Sequence, residues 1–335
     1  MGELKSASNE FTESASKSEA LPDINGFDIL ENEAKWERRR NRFVNKVKKL
    51  REQEAYANPN PVVAKLVPRD FYQSTNGHKQ SADDFVNEYK NVANYWDEDA
   101  VKAGQTVKSV QVAGGARQGL TNKNGMDCME DLRQTVGHFR DAGVQEIGAL
   151  WRGDCGTSYS RLHEDTLRKN IREHLKAGVN VFQNFNGMNT VEMMESIPRI
   201  VKQEAKKLDV EAKVLGGICI QQNPDTLDRK DEVLAEILMH ATDLVKSGHQ
   251  DFYLKCANGV LEDEEFVTEV VQMLKKEFPE QKIDLHMHST YGYAPKIAEA
   301  VTAAGIDAVD VQVDAHAEGP AHMALGIFQH TLEHS

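Results

Sequence analysis

The sequence predicts an α/β fold, a TIM-type (β/α)8 barrel with a helical N-terminal extension. From Val62 onward, short β-branched runs alternate with amphipathic stretches, a pattern typical of parallel strands joined by crossover helices. Eight strand candidates, each followed by a helix candidate, match the count of a closed barrel. Ala-Gly dipeptides precede three of the strands, and glycine there can take the left-handed conformation that ends a helix.

Before the barrel, we expect residues 1–30 to form a disordered acidic tail, because they are rich in serine and poor in apolar residues. A charged helix is predicted from Glu33 to Ala55, ending before the Pro-Asn run at 58–61. The predicted domains are therefore the tail (1–30), a helical extension (31–61) and the barrel (62–335).

The barrel strands are expected at eight positions: Val62–Val67, Val107–Val112, Glu146–Trp151, Asn180–Phe185, Lys213–Ile220, Phe252–Lys255, Ile283–His288 and Ala308–Val313. The helices are expected at about 82–95, 126–141, 164–177, 189–207, 229–247, 262–277, 293–304 and 321–332. Pro68 has no backbone N–H, so strand pairing must stop before it.

Composition narrows the classes of partner. The chain has 40 basic and 53 acidic residues, a net charge of −13, which argues against nucleic acid as the main partner. The basic segment Lys35–Arg51 is interpreted as a solvated or partner-facing surface. No apolar run approaches the roughly 18 residues of a membrane helix. Four scattered cysteines without a CxxC pair suit a reducing compartment, which leaves a mitochondrial or cytoplasmic location open.

Polar residues follow several predicted strands, and the carboxyl ends of parallel barrel strands share one mouth. We therefore expect these side chains to face the same opening: Arg69, Asp70 and Gln73 after the first strand, Arg152 after the third, Asn184 and Asn186 after the fourth, Lys255 after the sixth, His286 and His288 at the seventh, and Asp314 and His316 after the eighth.

His286 and His288 are the sharpest local signal. Their spacing places both imidazoles on one face of a strand, where they can bind one divalent ion or simply hydrogen-bond inside the barrel. Asp70 can add an anionic oxygen, or can pair with Arg69 or Arg152. A buried lysine such as Lys255 is usually paired, has a lowered pKa, or is covalently modified.

These residues resemble the carboxyltransferase barrel of pyruvate carboxylase, of the oxaloacetate decarboxylase α subunit and of the metal-binding subunit of transcarboxylase, within the HMG-CoA lyase-like barrel superfamily. The stretches that carry the resemblance are KLVPRDFYQS (65–74), VQVAGGA (110–116), LWRGDCGTSY (150–159), NVFQNFNGMN (180–189), LHMHSTYG (285–292) and, more loosely, DFYLKCANGVL (251–261).

The resemblance implies a divalent metal (Zn, Mn or Co) held by Asp70, a carbamylated Lys255, His286 and His288. It also implies that Gln73 and Arg152 contact a 2-oxo acid, with Arg69 and Tyr159 as neighbours in substrate binding. Lys255, Arg152 and Gln73 are then the catalytic residues, and Arg152 would pair with the substrate carboxylate.

The chain also departs from the family pattern. Gln183 replaces an arginine, Asn186 an aspartate and Cys256 an aspartate, at positions expected to support the site. The family's proton-shuttling threonine falls on Pro320, which leaves Thr290, His316 or His322 for that role. The helical domain that the family places after its barrel is expected to be missing from the 335 residues.

The predicted function is that of a biotin-dependent carboxyltransferase or decarboxylase acting on pyruvate or oxaloacetate through a metal-stabilised enolate. Since no AMKM-type biotinylation segment occurs, biotin would come from a carrier protein on another chain, and a homo-oligomer or a larger complex is expected. One alternative is a non-catalytic barrel with an assembly role. Another is a metal-dependent aldolase like HMG-CoA lyase.

Overall fold

The structure, a computed structural model, describes residues 26–74, 106–115, 117–123, 125–220, 228–313 and 316–334. For residues 26–31, 72–74, 106–108 and 334 the description covers the backbone alone. The predicted helix at 82–95 and residues 1–25 of the predicted tail lie outside these ranges.

Eight parallel strands close into a barrel in chain order, which confirms the predicted (β/α)8 fold. Closure comes from β1 and β8, which pair in register from Val63 with Ala308 to Leu66 with Val311. The strands are β1 (Val63–Leu66), β2 (Thr106–Gly114), β3 (Glu146–Trp151), β4 (Val181–Asn184), β5 (Lys213–Cys219), β6 (Asp251–Cys256), β7 (Ile283–Met287) and β8 (Ala308–Val311).

Ten α-helices lie within the described residues: α1 (Gly26–Arg51), α2 (Pro68–Ser74), α3 (Arg117–Lys123), α4 (Cys128–Asp141), α5 (Glu164–Lys176), α6 (Ser196–Leu208), α7 (Lys230–Lys246), α8 (Glu264–Glu277), α9 (Ala294–Ala303) and α10 (Leu325–His334). Two of them, α2 and α3, were not predicted. Pro68 is the first residue of α2, where the first turn needs no N–H from it. None of the described helices is both long and apolar enough to cross a bilayer.

Helix α1 ends four residues before the predicted Ala55. The chain beyond it is held against the barrel instead of continuing the helix. The Tyr56 amide donates to Gln272 Oε1 at 2.7 Å, and Asn58 Nδ2 donates to the Gly305 carbonyl at 3.1 Å. These hydrogen bonds to α8 and to the turn before β8 outweigh the local helix preference of residues 52–55.

The basic residues of α1 pair largely with the chain itself. Arg39 lies 2.5 Å from Asp243 of α7, and Arg51 lies 2.6 Å from Asp231 of the same helix. Val47 is fully buried beneath these pairs. Part of the segment interpreted as a solvated or partner-facing surface is therefore an intramolecular contact, stabilised chiefly by the apolar residues, since exposed ion pairs contribute little.

The interior of the barrel is layered. At the amino ends of the strands, Lys65 pairs with Asp284 at 2.7 Å, and Lys213 pairs with Glu146 at 2.7 Å. Above them lies a buried apolar cluster of Leu150, Val181, Leu215 and Tyr253. The void beside this layer, lined by Lys65, Gln111 and Asp284 among others, is about 10 Å³. This part of the interior is therefore a packed core, and in barrels of this kind ligands bind at the carboxyl ends of the strands.

Glycine is required at position 114, where the end of β2 lies close to the backbone of β3. Its φ is +85°, and a Cβ atom there would lie 1.8 Å from the Leu150 carbonyl oxygen. We expect Gly114→Ala to lower the free energy of unfolding by more than about 1 kcal/mol, because both the conformation and the space exclude a side chain. Urea denaturation followed by circular dichroism measures the change.

Gly119→Ala is the matched control for this experiment. Gly119 is an exposed residue of α3, and no atom lies within 4 Å of the position that a Cβ would take, so alanine there should leave stability unchanged or raise it. Equal effects of the two substitutions would contradict the close approach at Gly114.

Candidate metal centre at the barrel mouth

Three elements bring the central residues of the mouth together. Asp70 lies in the first turn of α2, directly after β1, with its amide donating to the Val67 carbonyl at 3.1 Å. His286 lies in β7, and His288 follows its last residue. Since β8 pairs with both β1 and β7, the two ends of the barrel sequence meet at this point.

The carboxylate of Asp70 lies among three imidazoles. Its Oδ2 atom is 2.7 Å from His322 Nε2, 3.3 Å from His286 Nε2 and 3.7 Å from His288 Nε2. One ligand atom from each of these four residues lies within 4.8 Å of all the others. The structure thus brings together the predicted residues Asp70, His286 and His288, and adds His322, which sequence reasoning had considered only for proton transfer.

Outer hydrogen bonds orient two of these rings. His286 Nδ1 lies 2.6 Å from Asp310 Oδ2, and His288 Nδ1 lies 2.6 Å from the Pro320 carbonyl. Each Nε2 atom therefore faces the mouth. His286 Nε2 is buried, and the Asp70 carboxylate at 3.3 Å is its polar neighbour among the described residues, an arrangement in which both groups could bind one metal ion. Asp310 was not predicted, although an acidic residue inside the apolar strand AVDV was a signal for it.

The electrostatics of the cluster favour the ligand forms of these groups. Burial alone would raise the pKa of Asp70, but Arg69 and the neighbouring histidines hold that pKa well below its ordinary value. Burial lowers the pKa of His288 to about 4 and that of His286 well below its ordinary value. One carboxylate and neutral imidazoles at a single point are the donor set of a divalent transition metal, so the residues present fit such an ion.

Arg69 forms an ion pair with the carboxylate of the cluster. It is fully buried, and its Nη2 lies 2.6 Å from Asp70 Oδ1. Its Nε donates to Gln111, whose amide in turn donates to Gln183. Gln183, where the resembling family has arginine, is thus linked to Asp70 through two side chains. The predicted role of Arg69 in substrate binding stays a prediction.

Lys255 stands beside the cluster in β6, where the register pairs it with His286. Burial lowers its pKa to about 8. Its Nζ lies 5.0 Å from the centre of the Phe185 ring and makes no hydrogen bond or ion pair with the described residues. A buried amine with a lowered pKa is a reactive group.

The other predicted site residues lie around the mouth. The Arg152 guanidinium stacks 4.4 Å from the Tyr159 ring centre, and Tyr159 is 76% exposed. Arg152 Nη1 donates to the Gly115 carbonyl at 2.9 Å. Gln73 lies in α2, but its side chain is outside the described part.

Two of the residues that depart from the family pattern make contacts within their own loops. Asn186 Oδ1 accepts a hydrogen bond from the Met188 amide at 2.9 Å, and Cys256 Sγ lies 3.4 Å from Asn258 Oδ1. Among the candidates for proton transfer, His316 stacks on Phe71 with ring centres 3.6 Å apart.

Comparison with known proteins gives distant relatives. The chain is 28% identical over 188 residues to a pyruvate carboxylase subunit of Methanothermobacter thermautotrophicus, covering 56% of this chain and 30% of that one. It is 22% identical over 267 residues to the methylmalonyl-CoA carboxyltransferase 5S subunit of Propionibacterium freudenreichii subsp. shermanii, covering 78% and 47%. No protein-family model matches the chain.

Among solved structures, the carboxyl transferase domain of Rhizobium etli pyruvate carboxylase superposes with a TM-score of 0.69 at 21% identity, covering 88% of this chain and 45% of that one. The chain therefore has the fold of that domain. It spans less than half the length of each of these three proteins. The resemblance predicted from the motifs is confirmed for the fold and for the sequence relationship.

We expect Asp70→Asn to destabilise the metal-free protein, because it leaves the buried Arg69 guanidinium without its anion. Removing one partner of a buried ion pair costs about 3 to 5 kcal/mol. Urea denaturation of both proteins in chelator measures the difference.

Glu130→Gln serves as the control, since it breaks a pair with Arg133 whose side chains are both about half exposed and should change stability by less than about 1 kcal/mol. A loss for Asp70→Asn no larger than for Glu130→Gln would contradict the electrostatic role of the Asp70–Arg69 pair.

Proposed function

We propose that this barrel is the carboxyltransferase part of a biotin-dependent enzyme that acts on a small 2-oxo acid, pyruvate or oxaloacetate. The observation that carries the proposal is the convergence of Asp70, His286 and His288 on one point of the barrel mouth, with donor atoms within 4.8 Å of one another. The relatives, a pyruvate carboxylase subunit and a carboxyltransferase subunit, support the reaction class.

Asp70, His286 and His288 are proposed to hold a divalent ion, Zn, Mn or Co, which when bound supplies Lewis-acid polarisation of the substrate carbonyl and stabilises enolate charge. The contact of His286 Nδ1 with Asp310 leaves the Nε2 atom as the one that would bind the ion. Arg69 keeps Asp70 ionised. By resemblance Lys255 also becomes a ligand, but only after CO2 adds to its amine, because an ammonium has no lone pair to donate.

Arg152 is the proposed partner of the substrate carboxylate. Its Nη1 is occupied by backbone carbonyls, whereas its Nε and Nη2 make no hydrogen bond to the described residues. The Tyr159 ring holds the guanidinium plane from one side. Arginine binds a carboxylate through two parallel hydrogen bonds. Gln73 is proposed to contact the same substrate.

Biotin is proposed to arrive on a carrier protein of another chain, with this barrel acting in a homo-oligomer or a larger complex. Carboxyl transfer then requires the mouth to admit the carrier's biotinyl group. The exposed Tyr159 and Met188, on the loops after β3 and β4, lie at the rim where such a group would enter.

Oxaloacetate decarboxylation tests the proposal. We expect the purified chain to bind about one divalent ion and to convert oxaloacetate into pyruvate and CO2 at a rate that depends on that ion and rises with free biotin. His286→Ala should lower this rate at least about 100-fold, since a ligand is lost and not merely its outer support. Metal content and pyruvate release are the measurements.

His163→Ala is the matched control, because it removes an exposed imidazole that is not one of the cluster residues. A folded chain that takes up no divalent ion, even after reconstitution, would refute the metal centre. A chain that binds the ion but shows no metal-dependent rate would instead favour the non-catalytic assembly role.

A further inference from the structure

His322 is built into the cluster by the backbone of the segment that follows β8. It forms an antiparallel bridge with His288, and the Ser289 amide donates to the Ala321 carbonyl at 2.8 Å. The Glu318 amide donates to the His322 carbonyl at 2.8 Å. The segment is thus tied to the end of β7 at Ala321 and His322, and to the residue after β8 by the Gln312 amide, which donates to the Met323 carbonyl at 2.9 Å.

The Glu318 side chain reinforces this geometry. Its carboxylate accepts hydrogen bonds from Ser289 Oγ and from the Ala324 amide. Its backbone φ is +67°, an uncommon conformation for a residue other than glycine, which packing must hold in place. The loop is therefore a specific support for His322.

The His322 ring faces the same point as the other donors. It is fully buried, its centre lies 4.4 Å from that of His286 and 4.9 Å from that of His288, and its Nε2 is 2.7 Å from Asp70 Oδ2. With His322, the cluster supplies three imidazole nitrogens and one carboxylate oxygen. A divalent ion held by these four donors could still accept a substrate oxygen by expanding to five ligands.

The Lys255 amine, by contrast, does not pair with the carboxylate of the cluster. Its Nζ makes no ion pair with Asp70 within 4.0 Å and lies over the Phe185 ring instead. The resemblance implies that it joins the donor set as a carbamate, which forms when the neutral amine adds CO2 and releases a proton.

We propose that His322 is a protein ligand of the divalent ion, so that the ion binds without carbamylation of Lys255, which remains an amine beside it. This inference rests on the Asp70, His286 and His288 centre of the proposed function, and it puts His322 in the place that the resemblance gives to a carbamylated Lys255. Metal loading then becomes independent of CO2. The site is then one carboxylate and three histidines.

Cobalt binding to the full chain tests the assignment without reference to activity. In CO2-depleted buffer, we expect wild-type protein to bind Co²⁺ with the affinity that it has in bicarbonate, within about twofold. His322→Gln should weaken binding at least about tenfold, the loss typical of a perturbed metal shell. Lys255→Met, which cannot be carbamylated, should stay within about threefold of wild type.

His240→Gln is the control for loss of a buried histidine, since His240 bonds to the Gly217 carbonyl, away from the cluster. It should leave the affinity unchanged. Circular dichroism of each variant establishes that it is folded.

A second measurement uses only the wild-type protein and so does not depend on any variant folding. Proton NMR of the Co²⁺ form should show three hyperfine-shifted, exchangeable imidazole N–H signals, one for each histidine ligand. With ¹³C-bicarbonate, no carbamate carbon signal should appear.

The outcomes separate this inference from the metal proposal. If only two shifted N–H signals appear, His322 is not a ligand, while the metal centre itself stands. The same conclusion follows if Co²⁺ binding requires bicarbonate, is lost in Lys255→Met and is kept in His322→Gln. No Co²⁺ binding by wild-type protein would overturn both.

Discussion

Pairing of the first barrel strand with the last is the constraint on which the mouth depends. β1 and β8 are in register over four residue pairs, and this pairing brings Asp70 within 2.7 Å of a histidine 252 positions later in the chain. In an open sheet β1 would be an edge strand, and the carboxylate would lie a sheet's width away from the imidazoles of β7. Closure of the barrel therefore assembles the cluster as well as protecting the strand edges.

Once Asp70 is placed there, electrostatics governs its surroundings. A buried carboxylate is unfavourable unless it is compensated, and Arg69 supplies the compensating charge from the barrel side. Gln111 accepts a hydrogen bond from Arg69 Nε and in turn donates one to Gln183. The apolar ring of Leu150, Val181, Leu215 and Tyr253 separates this upper polar layer from the Lys65–Asp284 pair below. Asp70, His286 and His322 are consequently buried, and charges interact strongly in such surroundings.

Much of the barrel could be predicted because its strands carry local signals. β3 begins and ends at the predicted residues, and the other seven strands lie within about two residues of their predicted bounds. The short helix α2 was missed because Pro68 was interpreted only as the end of a strand, although it also favours the first turn of a helix. The end of α1 was missed because hydrogen bonds of Tyr56 and Asn58 to distant residues decide it.

The sequence by itself determined which groups could perform chemistry: the spacing of His286 and His288 places both on one strand face, and residue type makes Asp70, Lys255 and Arg152 candidates. Only the tertiary structure decided that His322 joins them and that Asp310 and the Pro320 carbonyl orient the rings. The physical reason is the distance along the chain between the residues that interact. Strand periodicity is a local property of the chain, whereas the direction of a loop side chain after β8 is set by its backbone pairing to the end of β7.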